Sequence, residues 1–417
     1  MGSIGMVCGF TIETRYREET LETAYRSGSI EVNHYSGDYL ALRAYRDSGV
    51  CVVSSVYSDS TRLSELLAKT CKPTGGESSS IYCGDFYKGE YRVGRGGDPG
   101  DLIELSRIIS EKLGEKGVSS EVIAIARHTV IDHSVKEYNV YAREDRWLYE
   151  LHVHGYALYM GNLLSTGVSL ASINLKTLFD EVDGVVERIW MSIREQARSR
   201  RFNPLYIGSW KVLLAGDAAC AFFHEITHLL EADEPLKLRL ETDIGTGIKI
   251  VEDPFYPGPL QRLFDDELYP AWRRVLVDNG SVVDYLRSRL TSDSSRPGNG
   301  RGIFTRPKPM YYQLIVSSGD WSLEEVFEEV KKLVVVENIA KAELYRGYIR
   351  ITPEHGYVYE KGTATPVKAF EILVPVAKLS QSLIGLTRRR TERFSYEKNQ
   401  PIYEVAPSII LEARITT

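Results

Sequence analysis

The residues best suited to chemistry are His224, Glu225 and His228, which form an H-E-x-x-H pattern near the middle of the chain. Residues four apart in a helix lie one turn apart on one face, so the two imidazoles can bind one metal ion. The intervening glutamate can act as general base on a water at that metal. The pattern predicts a metal-dependent hydrolase, and the alternative is a pair of structural histidines.

The segment from Asp217 to Asp233 is typical of a helix. Asp217 is a suitable N-cap, and the run Ala218 to Ala221 favours helix. At 100° per residue, Glu231 falls within about 60° of the two histidines. The other side carries apolar residues at helical spacing, namely Phe222, Phe223, Ile226, Leu229 and Leu230. We therefore expect one stripe to pack in a core and the other to remain free for chemistry.

Composition excludes several protein classes. The chain has 417 residues, of which 43% are hydrophobic and 26% charged, so it is long enough for two globular domains. A net charge of −6 argues against a general nucleic-acid binder. No apolar stretch approaches the ~20 residues of a membrane span and no signal peptide is apparent, so we expect a cytoplasmic protein. The five cysteines lack C-x-x-C spacing and predict neither disulfides nor a four-cysteine zinc site.

Strand and helix signals divide the chain into two parts. Residues 1–204 predict an α+β domain with an antiparallel sheet and helices near 60–70, 98–114 and 175–200. The polar stretch Ser199 to Pro204 is the best domain boundary. Residues 205–417 carry the motif helix and many strand signals, with predicted hairpins at Asn279-Gly280 and through Glu354-His-Gly356. They predict a mixed-sheet, barrel-like domain with the motif helix near the junction.

Further signatures follow the motif in a recognisable order. They are Ile250 to Asp253, Asp265 to Glu267, Val275 to Gly280, Gly298 to Arg301, Pro309-Met310, Ser322 to Glu325 and Tyr357 to Lys368. Together with the motif they resemble the TldD/PmbA metalloprotease family, also called modulator of DNA gyrase, over nearly the whole chain. The chain looks like the motif-bearing, TldD-like type. The resemblance implies an N-terminal α+β domain and a C-terminal barrel-like domain.

The same resemblance implies a function. Members of this type are zinc peptidases that cleave unfolded or short peptides, and they pair with a homologous subunit that lacks the metal motif. His224 and His228 match the zinc ligands, and Glu225 matches the catalytic glutamate. The bound metal could be a divalent ion other than zinc, and the sequence does not decide between a homodimer and a heterodimer. No membrane partner and no direct nucleic-acid partner are expected. The alternative is a non-catalytic or regulatory subunit of a TldD/TldE-like complex with a degenerate metal site.

The third metal ligand is not fixed by the sequence. The resemblance implies a cysteine near the C-terminus, but residues 391–407 contain none. The resemblance also implies one more residue between the two histidines, although the spacing seen here suits an unbroken helix. The candidates for a third ligand, or for a partner that orients a histidine, are Glu231, Asp253, Asp265, Asp266 and Glu397.

Substrate binding is predicted from chain geometry. An extended peptide can add as a strand along an open sheet edge, which selects unfolded chains with little regard to sequence. The loop Gly298 to Gly302 could bind a substrate carbonyl or carboxylate through backbone N–H groups and Arg301, and the alternative is a simple turn.

Overall fold

A computed structural model describes residues 9–26, 28–46, 49–56, 60–71, 81–245, 247–292 and 295–417. Its first sheet has seven strands, β1 (Phe10–Arg26), β2 (Ser29–Arg46), β3 (Gly49–Val56), β4 (Gly89–Val93), β5 (Ser119–Val135), β6 (Val140–Tyr159) and β7 (Asn162–Ser172). They are ordered β3-β2-β1-β5-β6-β4, with β7 also paired to β6, and all pairs except β4–β6 are antiparallel.

Four helices accompany this sheet, namely α1 (Ser60–Thr70), α2 (Pro99–Glu115), α3 (Leu175–Asp180) and α4 (Val182–Arg198). Helix α2 begins after Asp98, whose side chain accepts a hydrogen bond from the Gly100 N–H. The apolar faces of α2, α3 and α4 share one core with β5, β6 and β7. These elements confirm the predicted antiparallel sheet and helices, although the helix expected at 175–200 is broken at Glu181.

The second sheet is a curled sheet of fourteen strands. They are β8 (Arg200–Arg201), β9 (Gly208–Leu214), β10 (Ile250–Glu252), β11 (Arg274–Asp278), β12 (Ser281–Val282), β15 (Gln313–Val316), β16 (Lys332–Val336), β17 (Ile339–Tyr345), β18 (Tyr348–Pro353), β19 (Gly356–Glu360), β20 (Thr363–Lys368), β21 (Glu371–Pro375), β22 (Leu383–Glu397) and β23 (Gln400–Thr416). Strands β13 (Gly300–Arg301) and β14 (Lys308–Pro309) form a separate pair.

Three helices belong to this part of the chain, α5 (Gly216–His228), α6 (Leu323–Glu329) and α7 (Leu379–Ser382). Helix α5 carries the motif and lies against β17, β18, β22 and β23. Its apolar side chains join the largest core of the molecule, together with residues of β9, β10, β15, β16 and β23. The motif is therefore positioned by burial of a helix inside a curled sheet. None of the helices formed by the described residues is long and apolar enough to cross a membrane.

Local signals predicted some turns correctly and others wrongly. The hairpin at Asn279-Gly280 is confirmed, with φ of 46° and 85° at the two turn residues. The predicted hairpin through Glu354-His-Gly356 is wrong, because β18 pairs with β17 and β21, whereas β19 pairs with β16 and β20. The β17–β18 turn at Arg346-Gly347 also has both φ values positive, 50° and 82°. Non-local pairing therefore decides where β18 and β19 lie.

The cysteine prediction also needs correction. Cys51 and Cys71 form a disulfide that ties β3 to the end of α1. Cys220 is a buried free thiol on α5, as expected for an unpaired cysteine. Cys8 lies outside the described residues. Spacing along the chain did not reveal the disulfide because its two residues meet only after α1 folds back on the sheet.

Candidate metal centre

Helix α5 begins at a sharp turn out of β9. Gly216 has φ of 52°, a conformation that favours glycine, and Ala215 is the N-cap residue. The N–H groups of Ala215 and Ala218 donate to the carbonyls of Val336 and Glu337 at 2.8 and 3.0 Å, which fixes the helix start to β16. Asp217, predicted as the N-cap, instead lies in the first turn of the helix. The helix ends at His228, so Glu231 lies beyond it.

The two histidines of the motif face one another through one nitrogen each. His224 Nε2 and His228 Nε2 are 3.1 Å apart. His228 Nδ1 lies 2.9 Å from Glu231 Oε1, and His224 Nδ1 lies 3.0 Å from Glu404 Oε1. A carboxylate at Nδ1 fixes the ring orientation and favours the tautomer that leaves Nε2 free to bind a metal. Both rings are thus held with their Nε2 atoms toward a common gap.

A buried hydrogen-bond network holds His224 on the Nδ1 side of its ring. The Tyr311 hydroxyl lies 2.5 Å from His224 Nδ1 and donates to Glu404 at 2.6 Å. Arg393 donates to the other oxygen of Glu404 at 2.8 Å. Burial alone would raise the pKa of Glu404, but Arg393 and His224 lower it to about 2. Burial alone would lower the pKa of His224, yet the neighbouring carboxylates of Glu397 and Glu404 raise it to about 9. Glu404 is therefore ionised and orients the His224 ring, whose Nε2 would give up its proton on binding a metal.

Two more carboxylates approach the gap. One donor atom from each of His224, Glu225 and His228 lies within 4.8 Å of the others. Burial raises the pKa of Glu225, while both histidines oppose that shift. Glu397 Oε2 lies 3.7 Å from His224 Nε2, on the open side of that ring. The nearby His224 ring is the main reason that the pKa of Glu397 falls to about 2.

The other predicted ligands lie elsewhere. Glu231 contacts the Nδ1 side of His228, as a partner that orients the ring would. Asp253 pairs with Arg273 at 3.3 Å, and Asp265 accepts three backbone N–H groups. Asp266 accepts from Arg262 at 2.8 Å and from the N–H of Gly302 at 2.8 Å. The structure does not bring these three aspartates to the histidines.

Arg301, predicted to bind substrate, is buried. Its Nη1 donates to the carbonyls of Tyr311 at 2.9 Å and Pro401 at 2.8 Å, and its guanidinium stacks over Tyr312 at 4.2 Å. Arg301 therefore links the segment between β14 and β15 to the start of β23. Arg301 thus supports two parts of the site. One is Tyr311, which contacts His224, and the other is the turn that joins Glu397 to β23.

Sequence reasoning missed Glu404, Tyr311 and Arg393. The available signal was alternation along β23, where Glu404 occupies the same face as Ile402 and Ala406, both of which belong to the main core. A charged residue at an inward position of an apolar strand requires a buried partner. Its partner could not be named, because Glu404 meets His224 only through the packing of α5 on β23.

The donor set suits a divalent metal such as zinc. Metal–nitrogen bonds of about 2.0–2.1 Å in a tetrahedral site place two ligands roughly 3.4 Å apart, close to the 3.1 Å between the two Nε2 atoms. Imidazoles supported by carboxylates are common in such sites. The arrangement can hold a metal, with Glu225 beside it as a base.

Comparisons with known proteins identify the family to which the chain belongs. The model of the PmbA/TldA metallopeptidase C-terminal domain matches residues 207–415, half of the chain. The chain belongs to the PmbA/TldD family. This confirms the resemblance found in the sequence, and the family description implies a metal cofactor for the family.

Two curated relatives are named metalloproteases. One, from Methanocaldococcus jannaschii, is 26% identical over 198 residues, which are 43% of this chain and 44% of that protein. The other, from Archaeoglobus fulgidus, is 24% identical over 312 residues, 66% of this chain and 68% of that protein. The first match thus spans less than half of that relative's length.

Solved structures share the fold over almost the whole chain. A structure named as a modulator of DNA gyrase from Bacteroides thetaiotaomicron has a TM-score of 0.80 at 14% identity, covering 98% of this chain and 95% of its own. A similarly named structure from Thermotoga maritima has a TM-score of 0.78 at 14% identity, covering 98% and 96%. TldE from Thermococcus kodakarensis has a TM-score of 0.73 at 16% identity, covering 98% and 97%. These likenesses confirm the mixed α and β fold with its curled sheet.

Proposed function

We propose that this PmbA/TldD family member is a zinc-type metallopeptidase that hydrolyses unfolded or short peptides. The observation that carries the proposal is the convergence of His224, Glu225 and His228 on one gap, with both Nδ1 atoms held by carboxylates. His224 and His228 would hold the metal. When bound, it would supply Lewis-acid chemistry, activating water and polarising the peptide carbonyl.

Glu225 is assigned the proton transfers. Its carboxylate would accept a proton from the attacking water as the new C–O bond forms at the peptide carbonyl carbon. It would then deliver that proton to the amine nitrogen as the C–N bond breaks, so atoms and charge balance. The residue is buried, with 6% of its surface exposed, and bulk water does not surround its carboxylate.

An extended peptide would bind along the outer edge of β17. This strand pairs with β18 and with no other strand of the described residues. The backbone of Leu344 in β17 lies close enough to Glu225 to lower its pKa, so this strand passes beside the proposed base. A peptide added there would use main-chain hydrogen bonds for affinity, which requires an unfolded substrate.

The test is cleavage of an unfolded protein by the wild type and by Glu225→Gln. We expect the wild type to cleave unfolded but not folded substrate. Glu225→Gln should retain metal and lose cleavage by about 10²–10⁴-fold, because the proton acceptor is gone while the fold is preserved. Glu231→Gln is the matched control, since it removes a supporting carboxylate and should reduce activity less. Equal cleavage by wild type and Glu225→Gln would reject the assignment.

The second candidate function is a non-catalytic or regulatory subunit of a TldD/TldE-like complex. The likeness to TldE over 98% of this chain favours it, and the resemblance implies pairing with a homologous subunit. In that case His224→Ala and Glu225→Gln would change no activity of the assembled complex. Molar mass from light scattering, alone and with a homologous subunit, would separate a homodimer from a heterodimer.

A further inference from the structure

Glu397 differs from the other predicted third ligands in where its free oxygen lies. Its Oε2 lies 3.7 Å from His224 Nε2, the nitrogen that faces the gap. Glu231 and Glu404 instead contact the Nδ1 atoms on the far sides of the two rings. The other oxygen of Glu397 pairs with Lys398 at 3.3 Å. One carboxylate oxygen thus lies beside Lys398 and the other beside His224 Nε2.

The backbone around Glu397 is firmly placed. Glu397 is the last residue of β22 and pairs with Gln400, the first residue of β23. The two residues between them, Lys398 and Asn399, have φ of 51° and 62°, the conformation of a tight two-residue hairpin turn. Arg301 donates to Gln400 Oε1 at 3.2 Å and to the next carbonyl at 2.8 Å. Such a hairpin end can present a ligand without much loss of conformational entropy.

We propose that Glu397 is the third protein ligand of a two-histidine, one-carboxylate metal centre. The proposal rests on the proposed function, since it requires that His224 and His228 hold a metal. Three protein ligands leave one position for water or substrate, as catalytic zinc sites do. Glu225 then remains free as the base, and Glu404 remains the support of His224 through Tyr311 and Arg393.

The assignment also sets the metal preference of the site. Nitrogen and carboxylate donors suit zinc, cobalt and manganese, whereas a thiolate would favour softer ions such as cadmium. The segment 391–407 offers carboxylates but no cysteine. Replacing Glu397 by cysteine should therefore raise the affinity for cadmium relative to zinc, and the wild type should lack this bias.

Cobalt spectroscopy on the full chain tests the proposal independently of activity. Metal-free protein is titrated with Co²⁺, and affinity is measured by competition with a chelator. The wild type should bind Co²⁺ without a thiolate-to-cobalt charge-transfer band, although it contains the free thiol of Cys220. Glu397→Cys should gain that band in the near ultraviolet. Glu397→Ala should bind Co²⁺ about 100-fold more weakly or worse, because losses in supporting partners alone reach that size.

The matched control is Glu392→Cys. Glu392 lies on the same strand, is exposed, and falls on the opposite face by alternation. It should give no charge-transfer band and no loss of affinity. Circular dichroism of each variant checks folding. If Glu397→Cys does not fold, the isosteric Glu397→Gln replaces it, and the proposal requires its Co²⁺ affinity to fall.

Two results would overturn the proposal in distinguishable ways. In the first, Glu397→Ala or Glu397→Gln binds Co²⁺ as tightly as the wild type, while His228→Ala loses Co²⁺. That result would place the third ligand elsewhere and leave the proposed function intact. Failure of the wild type to bind Co²⁺ or Zn²⁺ would reject the proposed function, and this assignment with it.

Discussion

Two carboxylate-rich regions of the molecule differ in whether their carboxylate oxygens are already used as hydrogen-bond acceptors. In the segment Asp265–Glu267 all three side chains are buried and their oxygens are occupied. Asp265 accepts backbone N–H groups of Glu267, Tyr269 and Gly300 at 2.9–3.0 Å. Glu267 accepts from the Tyr45 hydroxyl at 2.8 Å and from the backbone N–H of Arg289 at 2.6 Å. This acidic segment therefore holds loops of the chain together.

At the motif helix each histidine has one ring nitrogen paired with a carboxylate and the other nitrogen available to bind a metal. The Nδ1 atoms of His224 and His228 have carboxylate partners, while their Nε2 atoms face one another and Glu397 Oε2 lies 3.7 Å from His224 Nε2. The comparison teaches that a cluster of acidic residues says little about metal binding. What distinguishes a ligand set is unused donor capacity directed at a common point.

Asp265→Ala should give the largest effect, and it should be on stability. The substitution leaves three buried N–H groups without an acceptor, which costs about 3 kcal/mol or more of unfolding free energy. Urea unfolding measures the loss, and metal content should not change. Asp253→Ala is the control, because its partner Arg273 is exposed and the ion pair is worth about 1 kcal/mol or less. Loss of metal in folded Asp265→Ala would contradict the distinction between the two regions.

Gly300→Ala should destabilise the same segment. A Cβ at this position would lie 2.1 Å from Glu267 Oε2, a side chain already held by Tyr45 and Arg289. Overpacking of this kind costs about 1–3 kcal/mol. Gly114→Ala in α2 meets no heavy atom within 4 Å and should instead be neutral or stabilising by up to about 1 kcal/mol. Equal melting temperatures for the two variants would show that Glu267 is free to move.

Arg301→Lys should weaken metal binding about tenfold, since a lysine cannot reproduce the forked contacts to Tyr311, Gln400 and Pro401. Zinc affinity by chelator competition is the measurement. Arg306→Lys, at an exposed position nearby, is the control and should bind zinc as the wild type does. An unchanged affinity in Arg301→Lys would show that the hairpin and Tyr311 are held by other contacts.

Glu354 should give the smallest effect, visible as a pH dependence. Burial raises its pKa from 4.5 to about 7, against hydrogen bonds from Thr166 and Ser192. The folded protein thus retains a proton that the unfolded chain releases. The stability that Glu354 contributes is full below about pH 4.5 and is lost as pH rises from there through about 7, at up to about 1.4 kcal/mol per pH unit.

Glu354→Gln should flatten that slope in unfolding experiments between pH 4.5 and 8, while Glu360→Gln, at an exposed site, should not. A slope that persists in Glu354→Gln would assign the titration to another group.

The sequence predicted what depends on local pattern. The spacing of His224 and His228, the helix that carries them and the turn at Asn279-Gly280 are set within a few residues. Glu404 and Tyr311 could not be predicted, because they reach His224 through packing between α5 and strands distant in the chain. The hairpin expected at Glu354 to Gly356 failed for the same reason, since β18 finds better partners in β17 and β21. The division at residues 204 and 205 remains a prediction.

The central claim is that the histidine pair holds a metal, and elemental mass spectrometry of the purified protein tests it most directly. The wild type should contain close to one zinc per chain, and His228→Ala prepared in parallel should contain almost none. Glu231→Gln should retain most of it, since it removes only the support of one ring. Absence of metal from the wild type after zinc is supplied, or equal zinc in wild type and His228→Ala, would contradict the account.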